Sequence, residues 1–145
     1  MSTPTSTEIV QHAWQEFASG DPGRITAVFT SDAEWLAPPR NATARALDGS
    51  HHLIGRDRIV HFLTVEFPSI FVADRKIDFT AFTAAGATVV VEERMRATLM
   101  NGNHYDNDYC FIFELRNGLI HRVREYMDTR RGEEQFAATQ PSSTP

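Results

Sequence analysis

The chain has 145 residues, of which 41% are hydrophobic and 23% charged, enough for one domain with a buried core. Its net charge of −5 weighs against nucleic acid as a partner, because phosphates are bound by clustered Lys and Arg side chains. A single cysteine excludes an intramolecular disulfide, and no apolar run approaches the roughly 20 residues of a membrane span. Since the N-terminus has neither a basic start nor an apolar stretch behind it, we expect a cytoplasmic protein.

Both ends of the chain are polar. Residues 1–7 form a lead-in rich in Ser and Thr, and residues 139–145 form a Ser/Thr/Pro tail. These compositions are typical of disordered segments. We therefore predict a single domain over residues 8–138.

In chain order, the first predicted element is a helix over residues 8–19. Thr5 and Glu8 have the spacing of a capping box, the apolar residues behind them share one helical face, and Gly20 is a good stop. A short second helix follows, with Pro22 at its first position.

Residues 33–37 predict a strand centred on Trp35. The segment 40–54 lacks periodicity and predicts a long loop, and unstructured loops of about 15 residues are often functional. A third helix is predicted over residues 55–68, because proline disfavours a helix interior and Pro68 would end it.

The remaining elements are strands, predicted over residues 76–82, 88–99, 104–115 and 119–128. Asn101-Gly102 is a signal for a type I′ hairpin turn, and Asn117-Gly118 marks a second hairpin turn. Helices followed by a meander of antiparallel strands predict an α+β fold, with a curved antiparallel sheet packed against three helices and a pocket between them.

The C-terminal hairpin carries motifs typical of one family. They are Tyr105-Asp106-Asn107, then Phe113-Glu114-Leu115-Arg116-Asn117-Gly118-Leu119-Ile120, then Arg124-Glu125-Tyr126-Met127-Asp128, with Gly55-Arg56-Asp57 before the third helix. With the element order, they resemble the SnoaL-like proteins of the nuclear-transport-factor-2-like superfamily. The resemblance implies a cone-shaped fold around a small-molecule pocket and a homodimer paired through the outer face of the sheet.

The resemblance also suggests site residues. In limonene epoxide hydrolase an acid on the last strand acts with an Arg and a second acid; these positions match Glu125, Arg94 and Arg96, so that reaction is not expected. The base and oxyanion donor of ketosteroid isomerase match Ala37 and Phe111, which disfavours steroid isomerisation. Phenazine-type relatives combine a last-strand Glu with a His from the third helix, which implies a partnership of His61 with Glu125.

The last strand predicts a buried acid. Val123, Glu125 and Met127 share a face, and its apolar members mark it as the inner one. Burial raises the pKa of a carboxyl group, which makes it a better general acid or base near neutrality. The structural alternative is an ion pair of Glu125 with Arg94 or Arg96.

Two neighbouring strands could supply the rest of the site. Glu92, Arg94 and Arg96 share one face, which either lines the pocket or faces solvent; the resemblance favours the pocket for Arg94. On the next strand, polar and aromatic side chains share a face that could orient a ring-bearing ligand, with Asn107 and Tyr109 donating to a carbonyl. The alternative is that these aromatic residues are core.

The remaining candidates are weaker. Histidines lack the spacing of a metal site, and no nucleophile motif or phosphate loop is present, so we expect neither metal nor cofactor. His52 could act as a lid residue in the long loop. The candidate ligand-binding residues are Trp14, Trp35, His52, Phe62, Glu92, Arg96, Tyr105, Asn107, Tyr109, Val123 and Met127, and the candidate catalytic residues are Glu125, Arg94 and His61.

The sequence therefore predicts a cofactor-independent enzyme that acts on a small, largely apolar, ring-bearing metabolite by isomerisation, cyclisation, dehydration or epoxide opening. The alternative is a non-catalytic ligand-binding or dimerisation module of the same fold. A cavity around Glu125 would favour the enzyme, whereas a scaffold could fill that space with side chains.

Overall fold

A computed structural model describes residues 2–138 of the chain. The helices are α1 (Ser6–Ser19), α2 (Pro22–Thr26), α3 (Ala42–Ala46), α4 (Arg56–His61), α5 (Phe67–Ile70) and α6 (Thr129–Ala137). The strands are β1 (Phe29–Leu36), β2 (His52–Ile54), β3 (Phe71–Ala85), β4 (Thr88–Leu99), β5 (His104–Arg116) and β6 (Leu119–Met127). A π-helical turn (Phe62–Glu66) joins α4 to α5. None of the helices in this part of the chain is both long enough and apolar enough to cross a membrane.

The strands form one sheet in the order β2-β1-β6-β5-β4-β3. All neighbours are antiparallel except β1 and β6, which run parallel. The register shifts in three of these pairs, and such irregularities bend strands and increase their twist. The predicted α+β fold with a curved, mostly antiparallel sheet is confirmed.

The core lies between the inner face of the sheet and the helices. Side chains from α1, α4 and β1 meet those of the long strands there, among them Val10, Ile59, Phe29, Val91 and Phe113, all fully buried. Burying such side chains is the main source of the fold's stability, at about 25 cal/mol per Å² of apolar surface.

Helix α1 begins earlier than predicted. Thr5 accepts a hydrogen bond from the backbone N–H of Glu8 at 3.1 Å, and the Glu8 carboxylate accepts one from the backbone N–H of Thr5 at 3.0 Å. This capping box makes Ser6 and Thr7 helical, so these two residues do not belong to a disordered lead-in. The predicted tail, residues 139–145, lies outside the described residues.

The third predicted helix does not end at Pro68 but continues to Ile70. The π turn explains this, because the backbone N–H of Phe67 bonds back to the carbonyl of Phe62, and the regular α-helical ladder is interrupted just before a residue that has no N–H. The helix can thus pass through the proline and present one apolar face to the sheet.

The segment 40–54 is not the predicted unstructured loop. It contains α3, whose first turn is capped by the Asn41 side chain accepting from the N–H of Ala44 at 3.0 Å, and β2, which pairs with β1. Helix α6 was also not predicted, and its N-cap is Asp128. These elements are short or strongly polar, so they carry little hydrophobic periodicity.

The two Asn-Gly turns differ. Asn117 and Gly118 both have positive φ, 53° and 78°, as a type I′ turn requires. At the other hairpin Gly102 has a φ of 86° but Asn101 has a negative one, because the loop contains four residues rather than two. The type I′ prediction at Asn101-Gly102 is therefore wrong, although the hairpin itself is present.

Candidate functional site

A cavity of about 590 Å³ lies between the inner face of the sheet and the helices, and this volume suits a small organic molecule. Its lining is mainly aromatic and apolar, with a smaller polar part that includes Asn41, Ser50, His51 and Arg75. The acidic side chains of the lining are Glu93, Tyr109 and Glu125. The aromatic and apolar wall includes Trp14, Phe17, Trp35, Phe62, Leu63, Phe67, Phe79, Met95 and Phe111.

Glu125 is placed by β6, where it lies opposite Phe111 of β5. The indole Nε1 of Trp35 donates a hydrogen bond to its Oε1 at 2.8 Å. Burial raises the pKa of Glu125 to about 7, although the bond from Trp35 acts in the opposite direction. A carboxyl group with this pKa is present in both its acidic and its basic form near neutral pH.

Glu93 is the second acid of the cavity. It lies on β4 between Phe79 of β3 and Tyr109 of β5, and its residue is 4% exposed. Burial, and then the negative charge of Glu125, raise the pKa of Glu93 to about 8. Among the described residues, its buried Oε2 has no hydrogen-bond partner, which leaves the carboxyl group of this cavity-lining residue partly unsatisfied.

The expectation that Arg94 lines the pocket is wrong, and Glu92 and Arg96 also lie on the outer face of the sheet. Arg94 binds both carboxylate oxygens of Asp106, at 2.8 and 2.5 Å, and Arg96 binds Asp78 at 2.9 Å. Strand alternation explains the arrangement, because the apolar side chains of β4 occupy the inner face and Glu93 lies among them: Val91, Met95, Ala97 and Leu99 are all buried.

The alternative of an ion pair between Glu125 and an arginine is therefore also wrong. The guanidinium groups of Arg94 and Arg96 are on the far side of the sheet, and the hydrogen bond of Glu125 comes from Trp35. The acid is stabilised by a neutral donor rather than by a positive charge.

Tyr109 lies in the cavity wall, stacked on Phe111 with ring centroids 5.6 Å apart. Tyr105 and Asn107 share its face of β5 but do not reach the cavity. They are buried behind Tyr109, where the Asn107 Nδ2 donates to the Tyr105 hydroxyl at 3.1 Å. The expectation that Tyr105 and Asn107 contact a ligand directly is thus wrong.

Four further candidates lie outside the cavity. Val123 is completely buried in the core, and Met127 is partly buried and packs against the core. His61 is exposed on α4, so its predicted partnership with Glu125 is wrong. His52 is hydrogen-bonded to Glu34 at 2.8 Å on the β1–β2 pair, and its neighbour His51 lines the cavity instead.

Trp14, Trp35, Phe62, Tyr109 and Glu125 do line the cavity. Glu93 was missed, and the signal that could have found it is an acid inside an otherwise apolar alternation on β4. Within residues 2–138, no group of three or more His, Cys, Asp or Glu side chains is placed to hold a metal ion.

A curved sheet and helices that enclose carboxyl groups in an aromatic cavity define a class of small α+β domains built around a cavity. The family model of the SnoaL-like domain matches residues 10–123, and the chain belongs to this family. No curated protein sequence matches the chain.

Solved structures share the fold at low sequence identity. A nuclear-transport-factor-2-like protein of unknown function from Burkholderia pseudomallei K96243 is 18% identical, with a TM-score of 0.78 over 93% of this chain and 100% of the other. TerC, co-crystallised with polyporic acid, is 21% identical, with a TM-score of 0.77 over 92% of this chain and 100% of its own. A protein from Jannaschia sp. CCS1, provisionally named a SnoaL-like polyketide cyclase, is 15% identical, with a TM-score of 0.74 over 97% of this chain and 100% of the other.

Proposed function

We propose that this protein is a cofactor-independent enzyme that transfers a proton on a small, largely apolar, ring-bearing metabolite. The observation that carries the proposal is the Glu125 carboxyl group, which faces an aromatic cavity, is bound by Trp35 at 2.8 Å and has a pKa raised to about 7. A general acid or base works best when its pKa is close to the working pH.

The two acids of the cavity have different roles in this proposal. At neutral pH Glu93, with a pKa of about 8, is mostly protonated, whereas Glu125, with a pKa of about 7, is about half ionised. Pairs of carboxyl groups whose environments separate their pKa values commonly divide the roles of acid and base. Glu125 is then the base and Glu93 the acid.

An isomerisation would proceed as follows. The Glu125 carboxylate removes a proton from a carbon next to a substrate carbonyl. The electron pair of the broken C–H bond forms a C=C bond to the carbonyl carbon, and the π pair of the C=O bond moves to its oxygen. The Glu93 carboxylic acid donates a hydrogen bond to that oxygen as it becomes negative. Glu125 then returns its proton to another carbon of the conjugated system, so atoms and charge balance. Cyclisation, dehydration and epoxide opening would use the same pair of acids.

The cavity wall supports a ring-bearing ligand. Trp14 meets Phe17, Phe79 and Phe111 edge to face, with ring centroids 5.2 to 5.4 Å apart, and so presents a fixed aromatic surface. TerC, which shares the fold, was co-crystallised with polyporic acid, and other neighbours are provisionally named a polyketide cyclase and an isomerase. The volume of about 590 Å³ also favours an occupied site over a filled scaffold.

A ligand-binding module without catalysis is the second candidate. The observation in its favour is the predominance of apolar side chains in the wall, because retention of an apolar compound requires no titratable group. The two candidates differ in what happens to the compound.

The test is untargeted mass spectrometry of a host-cell extract incubated with wild-type protein, with Glu125→Gln and with Glu92→Gln. Glutamine keeps the shape of the side chain and removes the acid, and Glu92 is a matched control on the outer face. We expect the wild type and Glu92→Gln to consume the same metabolite and Glu125→Gln to leave it unchanged. Retention of one unaltered compound by all three proteins would contradict catalysis.

A further inference from the structure

Behind Tyr109, a buried chain of hydrogen bonds runs away from the cavity. The Tyr109 and Tyr105 hydroxyl oxygens are 2.5 Å apart, and the Asn107 Nδ2 lies 3.1 Å from the Tyr105 hydroxyl. The same Nδ2 donates to the backbone carbonyl of Asp128 at 3.0 Å, where α6 begins. These groups lie outside the proposed acid–base pair.

The orientation of the Asn107 amide is fixed by its partners. Its Nδ2 faces the Asp128 carbonyl, which can accept but not donate, and its Oδ1 accepts from the backbone N–H of Asp108 at 2.9 Å. Both hydrogens of Nδ2 are therefore used, one on Asp128 and one on Tyr105. The Tyr105 oxygen is an acceptor in this arrangement.

Counting the hydroxyl hydrogens then fixes which tyrosine donates in the hydrogen bond between Tyr105 and Tyr109. A phenol has one hydrogen, and among residues 2–138 the hydroxyl of Tyr105 has a single acceptor for it, the oxygen of Tyr109. When Tyr105 donates to Tyr109, the hydroxyl hydrogen of Tyr109 is not used in the bond between the two tyrosines. Because Tyr109 borders the cavity, this hydrogen can be donated to a ligand there.

The opposite direction is less favourable. If Tyr109 donated to Tyr105, the Tyr105 oxygen would accept two hydrogen bonds and its own hydrogen would have no acceptor among the described residues. Tyr105 is 2% exposed, so this hydrogen could not turn to bulk water. Leaving a buried donor unsatisfied is disfavoured.

Helix α6 holds this chain from behind. Gly132 is buried, and a Cβ atom at its position would lie 3.3 Å from the Asn107 Nδ2 and 3.7 Å from the Tyr105 hydroxyl. The glycine thus allows α6 to lie directly against both polar groups.

We propose that Asn107 and Tyr105 are positioning residues that direct the hydroxyl hydrogen of Tyr109 into the cavity, where it donates to an acceptor oxygen of the ligand, such as a ketone. This deepens the proposed function, because it assigns the ligand a carbonyl-type oxygen held from the β5 side. The direction of these hydrogen bonds does not depend on whether the protein is an enzyme.

The direct test is neutron diffraction from crystals of the ligand-free protein exchanged into D₂O. We expect the Tyr105 deuterium between the two phenol oxygens and the Tyr109 deuterium turned toward the cavity. A Tyr109 deuterium directed at Tyr105 would overturn the proposal. This result stands whether or not the protein is an enzyme.

The functional test uses two probes of nearly equal shape, 2-acetylnaphthalene and 2-isopropenylnaphthalene, of which the first alone has an acceptor oxygen. Tyr109→Phe is expected to weaken binding of the ketone by about threefold to tenfold and to leave the alkene unchanged, since one neutral hydrogen bond contributes about that much. Tyr105→Phe removes the orienting donor, and we expect a smaller loss in the same direction, about twofold. Tyr126→Phe, on the outer face, is the matched control and should change neither.

The outcomes separate the two proposals. Equal affinity of ketone and alkene for the wild type, or equal losses of both probes in Tyr105→Phe, would overturn the positioning role. If neither probe binds, the cavity does not accept a naphthalene-sized ketone, and the diffraction result alone decides the direction of the hydrogen bond between the two tyrosines.

Discussion

The indole nitrogen of Trp35 on β1 donates a 2.8 Å hydrogen bond to Oε1 of Glu125 on β6. The two strands are the parallel pair of the sheet, in which Trp35 lies opposite Val123. One strand thus supplies the acid, and its neighbour supplies the neutral donor that stabilises the charged form.

Replacing Trp35 by Phe should raise the pKa of Glu125 further above about 7, because the hydrogen bond from Trp35 lowers it and burial would then act alone. The measurement is a pH titration followed by ¹³C NMR of labelled glutamate carboxyl carbons, assigned with Glu125→Gln. Trp14→Phe is the control, since Trp14 also lines the cavity but its Nε1 has no partner among the described residues. An unchanged titration in Trp35→Phe would show that this bond does not stabilise the carboxylate.

The rate of the reaction should show a narrow, bell-shaped dependence on pH. The rate rises as Glu125 ionises around pH 7 and falls as Glu93 loses its proton around pH 8. The profile of kcat/KM on the metabolite found by mass spectrometry tests this. Glu93→Gln keeps a donor at that position without titrating, so its alkaline limb should be missing. An alkaline limb that persists in Glu93→Gln would remove Glu93 from the mechanism.

Glu93 should also reduce stability as the pH rises. Its pKa is raised in the folded state, so the folded state binds more protons than the unfolded state between about pH 4.5 and about pH 8. The free energy of unfolding therefore falls across that window. We expect Glu93→Gln to be more stable than the wild type by about 1–3 kcal/mol at pH 8, with most of the difference gone at pH 5. Urea unfolding at both pH values measures this. Glu92→Gln, on the opposite face, is the control, and because it retains Glu93 its stability should fall between the two pH values as that of the wild type does.

The β-structure was the part of the fold that could be predicted most fully from the sequence. Strand β4 has the bounds predicted for it, residues 88–99, because alternation and the flanking turns mark both of its ends. Both Asn-Gly hairpins are present, and the inward position of Glu125 follows from its apolar neighbours on β6.

The site was predicted less well, for physical reasons. On β4 one face is charged and the other apolar with a single acid, and family alignment favoured the charged face for the pocket. The charged side chains instead form ion pairs on the outer face, where Arg94 binds Asp106 of the neighbouring strand. This pair depends on the register between β4 and β5, which the sequence alone does not specify. Helix α6 was not predicted because Phe136 is its one large apolar residue, so it has no hydrophobic periodicity. The helix nevertheless lies against Asn107 at Gly132.

Gly132→Ala tests the contact between α6 and the tyrosine pair. Alanine favours a helix by up to about 1 kcal/mol over glycine, which offsets part of the cost of the close contact, so we expect the variant to fold. Its Cβ would press on the Asn107 amide at 3.3 Å, and we expect the affinity for 2-acetylnaphthalene to fall by about twofold. Calorimetric titration and urea unfolding measure the two effects. Glu134→Ala, exposed on the same helix, controls for helix stability, and equal affinities in the two variants would contradict the contact's role.

We further predict a homodimer that pairs through the outer face of the sheet, as the family resemblance implies. Sedimentation should give twice the 16.3 kDa of one chain. Tyr126 is 50% exposed on that face, so Tyr126→Glu should shift the protein toward the single chain. Val65→Glu, exposed on the π turn, is the control. A 16.3 kDa species for the wild type would contradict the prediction.

Two acids that titrate near neutrality in one apolar cavity make ligand binding a proton-exchange event. A neutral apolar compound that displaces water from around Glu125 would favour its uncharged form, so binding at pH 7 would draw protons from the buffer. The heat of binding would then include the ionisation enthalpy of the buffer, and phosphate and Tris would give different apparent enthalpies for the same complex. The slope of that difference counts the protons taken up, and hence reports the charge state in which the cavity holds its ligand.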